Sequence, residues 1–198
     1  MKYSKTAMFN FMALCCVLGI FAKKLMNPFA NIITEILHIP GGISTSFSIM
    51  FLVIAAEVVK FSFSDLSKRE RSMCASLMAL VQGLLALALG RVGSMGIFMP
   101  LSFFSTGIAI DFVYKTGKLF KFSREERMIF SNAAAALMAS LTANIIVFRL
   151  PTVTLGFYLC VSAISGTIFG CLGKEIVKKL KIPWEEKEKK SKEIRDER

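Results

Sequence analysis

The chain has 198 residues, 54% of them hydrophobic, with a formal net charge of +11 and a mean hydropathy of +0.57. A water-soluble domain of this length rarely carries so much apolar surface. The Lys and Arg residues flank apolar stretches rather than forming one basic face, so a nucleic-acid role does not fit either.

Six apolar stretches, each about long enough to cross a bilayer as a helix, predict an all-α integral membrane bundle of six transmembrane helices over residues 1–181. A charged C-terminal tail follows over 182–198. The first stretch runs from Ala7 to Ala22. Lys2 and Lys5 precede it, Lys23 and Lys24 follow it, and no small-residue cleavage site intervenes. It therefore reads as a retained helix rather than a signal peptide.

Lys23 to Gly42 reads as a long loop. It holds Asn27-Pro28, an apolar-periodic piece from Ile32 to Leu37, and the turn His38-Ile39-Pro40-Gly41-Gly42. Pro followed by two glycines breaks a helix, and a loop of this length is a candidate lid. The polar string Ser44, Thr45, Ser46, Ser48 opens the second stretch, Ile43 to Val59, which carries Glu57.

The third stretch, Met73 to Gly90, holds Gln82 and ends in a short Gly-rich turn containing Arg91. The fourth, Val92 to Tyr114, places Ser102, Ser105, Thr106 and Ala109 on one helical face and Asp111 near its end. The fifth, Met128 to Phe148, aligns Asn132, Ala135, Ala136, Ala139 and Ala143. The sixth, Thr152 to Gly173, has small-residue steps at Ser162, Gly166 and Gly170. Such faces let membrane helices approach closely. Ile182-Pro183-Trp184 marks the end of the last helix.

Only Lys23, Lys24, Arg91 and Arg149, four of the 25 basic residues, fall between alternate stretches on one side. The positive-inside rule then puts both termini in the cytoplasm. Glu57 and Asp111 lie near the inner ends of their helices, where Lys60 and Lys115 are placed to pair with them. The five cysteines lie inside apolar stretches with no CxxC pair, and one histidine cannot make a metal cluster. No nucleophile elbow or phosphate loop is present, so we expect neither an enzyme nor a resident cofactor or metal.

Polar and aromatic groups near the outer ends form the candidate binding site: Asn144, Tyr158, Gln82, Arg149, Arg91 and His38, with Phe103 and Phe104 to stack on a flat ligand. Arg91 and Arg149 lean toward a neutral or anionic ligand.

The pattern resembles the substrate-binding S components of energy-coupling factor (ECF) transporters. The likeness rests on Asn27-Pro28, Ile39-Pro40-Gly41-Gly42, the string Gln82-Gly83-Leu84-Leu85-Ala86-Leu87-Ala88-Leu89-Gly90, and Thr106-Gly107-Ile108-Ala109-Ile110-Asp111. The resemblance implies a plasma-membrane subunit that captures a vitamin-like small molecule from outside. It also implies docking to a membrane coupling subunit and a cytoplasmic ATPase pair. Family members carry an Ala-xxx-Ala docking step on the first helix. This chain has Cys15, Gly19 and Ala22 there instead. The other reading is a membrane scaffold or assembly protein without a small-molecule ligand.

Overall fold

The computed structural model describes residues 5–37, 42–62, 71–90 and 93–179. Six helices carry the fold: α1 (Lys5–Leu37), α2 (Ile43–Ser62), α3 (Cys74–Ala88), α4 (Met99–Leu119), α5 (Arg124–Ala143) and α6 (Thr152–Lys179). A 3₁₀ segment (Gly93–Phe98) leads into α4, and a π-turn (Asn144–Phe148) extends α5. No strand occurs among the described residues.

Five of these helical segments are long and apolar enough to cross a membrane. The exception is α3, whose 15 residues span roughly 22 Å at 1.5 Å per residue, short of the ~30 Å hydrocarbon core. The charged tail from 182 onward, with Pro183 and Trp184, lies outside the described residues.

The first helix corrects the sequence reading. Residues Lys23 to Leu37, expected as a loop, continue α1 without interruption, with Pro28 inside the helix. Proline removes one backbone donor, but membrane helices tolerate that loss where neighbouring groups re-satisfy the freed carbonyl. The apolar period from Ile32 to Leu37 is that of the same helix. At 33 residues α1 reaches about 50 Å. The expected turn at 38–41 lies outside the described residues. The fourth helix starts at Met99 rather than Val92, because Gly96 adopts φ 53° and ψ −133° and interrupts the helical path. Pro100 then occupies the first turn of α4, where its missing N–H costs nothing.

α2 is the central post. Leu52 to Ala56 and Val58 to Val59 are all buried, and α1, α4, α5, α6 and α3 each pack on it. Around it the small-residue face expected at Gly166 packs closely, and Gly107, outside the face expected for the fourth helix, makes a second close approach. A Cβ on Gly166 would lie 2.8 Å from Ala133 Cα, and one on Gly107 would lie 2.6 Å from Ser76 Cα, so α5–α6 and α3–α4 approach at backbone contact. α1 instead turns Phe9, Phe21, Leu25 and Phe29 outward, as a lipid-facing helix does.

The intramembrane acids are paired at the basic end, but not with the expected partners. Lys60 binds Asp111 at 2.6 Å across α2 and α4 rather than pairing with Glu57 on its own helix. Glu57, fully buried, accepts from Arg124 Nε and from the Tyr114 hydroxyl. Lys115 is exposed. Cross-helix pairing wins because a carboxylate inside the bundle faces the neighbouring helix more directly than the next turn of its own.

Candidate functional site

At the end of the bundle opposite these pairs, the helices leave a cavity of about 260 Å³. Each wall has a local cause. α1, because it continues past Lys24, lays Lys23, Asn27 and Ala30 along one side at helical spacing. The start of α2 contributes Ser44, Thr45 and Ile49, and the segment before it contributes Gly42. A side chain at Gly42 would meet Ser162 Oγ at 2.7 Å and Tyr158 Cε2 at 3.4 Å. Glycine there lets the chain press flat against α6.

The 3₁₀ segment and α4 supply Met95, Met99, Ser102, Phe103 and Thr106. α5 supplies Ala139, Ser140 and Ala143, and the π-turn carries Phe148 to the rim. In that turn the Asn144 carbonyl accepts from Arg149 N at 2.8 Å, one residue wider than an α-turn, which re-aims the residues that follow. Phe148 meets Tyr158 edge to face, with centroids 6.2 Å apart. Beneath the cavity, Ser140 and Ser162 share a hydrogen bond at 2.5 Å and Ser46 and Ser165 one at 2.9 Å, tying α5 and α2 to α6.

The sequence-predicted residues separate into groups. Tyr158 and Phe103 line the cavity. Phe104 does not: successive helical residues point about 100° apart, so one of the two phenylalanines faces in and the other turns aside. Gln82 is fully buried outside the cavity and donates to Ser48 Oγ at 3.2 Å. Asn144 closes the π-turn, its Oδ1 accepting from Leu150 N at 2.8 Å. Arg149 is exposed in a left-handed conformation, φ 47°. His38 and Arg91 lie outside the described residues.

Cys15, Gly19 and Ala22, expected to meet a partner, form the buried face of α1. A Cβ on Gly19 would run into the Gln82 amide and sit 3.2 Å from Ser48 O. That stripe is spent on packing α1 against α2 and α3.

Lys23, Asn27, Ser44, Ser102 and Ser140 are among the cavity residues missing from the sequence-predicted site. Ser102 was visible on a small-residue face read as packing, and the Ser44 string as the polar opening of the second helix. Lys23 was assigned to a loop, and only the continuity of α1 makes it a wall residue. The hydroxyls of Ser44 and Ser102 and the Asn27 amide make no hydrogen bond among the described residues and stand open to a ligand. The volume falls just below the roughly 300–1,000 Å³ of pockets for drug-sized ligands, which suits a small, compact molecule.

No protein family, curated protein or solved structure matches this chain.

Proposed function

We propose that this protein is the substrate-capture subunit of an ECF-type uptake transporter for a vitamin or vitamin precursor. In this reading it sits in the plasma membrane, takes its ligand from outside and docks to a membrane coupling subunit and a cytoplasmic ATPase pair. The observation that carries the proposal is the cavity itself. It occupies the end of an apolar helical bundle that bears few basic residues, the outer end by the positive-inside rule. Its wall mixes aromatic faces with unspent hydroxyl and amide groups, the equipment of a binding site for one small polar molecule. The resemblance in the Asn27-Pro28, Gln82–Gly90 and Thr106–Asp111 segments supports the same reading.

Native mass spectrometry of protein purified in mild detergent tests it. A stoichiometric small molecule in the wild type, absent from Ser102→Leu at an unchanged melting temperature, is the expected result. An empty wild type that also ignores a vitamin pool returns the scaffold reading.

A further inference from the structure

Lys23 is the one cation in the cavity wall, and no Asp or Glu lines that cavity among the described residues. Its ammonium lies 5.8 Å from the centre of the Phe103 ring. No carboxylate and no hydrogen-bond acceptor reaches it among the described residues. Cations near the other end are matched differently: Lys60 has Asp111, Arg124 has Glu57, and Lys174 and Lys178 share Glu125. A cation inside an apolar bundle is costly without a counter-charge. A ring face compensates only part of that.

A second cavity of about 330 Å³ meets the first at Lys23, Asn27, Met99 and Phe103, and Lys24 and Gly90 also line it. Lys23 thus stands where the two spaces join, with a second cation beside the approach.

We propose that the molecule taken into this cavity is an anion, whose carboxylate or phosphate pairs with the Lys23 ammonium while its apolar body lies on Phe103. This rests on the capture reading and narrows it: Lys23 selects the charge of the ligand, and the neighbouring hydroxyls of Ser44 and Ser102 are placed to bond its remaining polar atoms. The missing partner of Lys23 is then the ligand.

The test uses full-length protein immobilised in detergent and the small-molecule fraction of yeast extract. The extract is applied whole, or after passage over anion-exchange resin. Eluted molecules are identified by mass, and fragmentation tells a carboxylate from a phosphate ester. The expected result is a molecule retained from whole extract and missing from the anion-depleted extract. Lys23→Met loses it and Lys23→Arg keeps it within about tenfold, since Met removes the charge and Arg retains it at similar length. Retention of the same molecule from depleted extract, or by Lys23→Met, overturns the anion assignment and leaves capture standing. If Lys23→Met does not fold, the two extracts on the wild type still decide. A wild type that retains nothing from either extract overturns capture itself. A co-purifying phospholipid lost from Lys23→Met would give the charge to a lipid headgroup and overturn uptake of a soluble anion.

Discussion

Gly19 on α1 and the amide of Gln82 on α3 share one point in the bundle: the space left by the missing Cβ of the first is taken by the side chain of the second. The amide nitrogen then reaches Ser48 Oγ on α2 at 3.2 Å, so a glycine on one helix sets a hydrogen bond between two others. Gly19→Ala should lower stability by about 1–3 kcal/mol through overpacking. Adding Gln82→Ala should recover part of it, a non-additivity of about 1 kcal/mol or more. Thermal unfolding of the wild type, the two single variants and the double variant in detergent measures the coupling. If Gly19→Ala left the isolated protein unchanged and weakened only association with other membrane proteins, Gly19 would be a docking residue and this account would fail.

Asp111 caps a helix to which it does not belong. Met73, at the N-cap of α3, offers no side-chain bond. Asp111 on α4 takes that role, accepting from Ser76 N at 2.9 Å, Ser76 Oγ at 2.7 Å and Ala75 N at 3.3 Å, and holding Lys60 as well. Asp111→Ala strands both Lys60 and the first turn of α3, and the expected loss is ~3–5 kcal/mol. Asp111→Asn combined with Lys60→Met removes the charges together and keeps an acceptor for the cap. That double variant should melt closer to wild type than Asp111→Ala does.

Two glycines provide opposite controls. Gly107→Ala places a Cβ 2.6 Å from Ser76 Cα and 2.7 Å from Ala75 O, where no flexible side chain can yield. It should open the α3–α4 contact and cost at least ~2 kcal/mol. Gly156, in the exposed first turns of α6, has nothing within 4 Å. Gly156→Ala should be neutral or stabilise by up to about 1 kcal/mol, because alanine loses less backbone entropy in a helix. Parallel melting curves settle both.

Phe103 and Phe104 should differ in ligand binding as they differ in direction. Phe103→Leu keeps bulk but removes the flat face over the cavity, and the expected weakening is about tenfold. Phe104→Leu and Arg149→Ala should change affinity less than about twofold. Titration of the molecule identified on the wild type reads all three. Equal losses from Phe103 and Phe104 would place the ligand elsewhere than in the cavity described.

Helix number, helix faces and the segregation of charge were legible in the chain because each is a sum over neighbouring residues. Hydropathy over some twenty positions marks a span, and small residues three or four apart mark a close approach, as Gly166 bears out. That Glu57 and Asp111 would be paired followed from the cost of a lone charge at membrane depth. Which cation pairs with which acid did not follow, since the sequence sets Lys60 beside Glu57 and Lys115 beside Asp111, and only the crossing of α2 and α4 gave Lys60 to Asp111. Pro28 within α1 was equally ambiguous, because a proline ends a helix or rides inside it according to what surrounds the freed carbonyl. Lys23 became a cavity residue on that outcome. The cavity itself is the volume that parts of five helices, a 3₁₀ segment and a π-turn fail to fill together. No local pattern contains it, so tertiary packing alone decided that Phe103, Tyr158 and Lys23 face one space while Gln82 and Asn144 are consumed in holding the bundle.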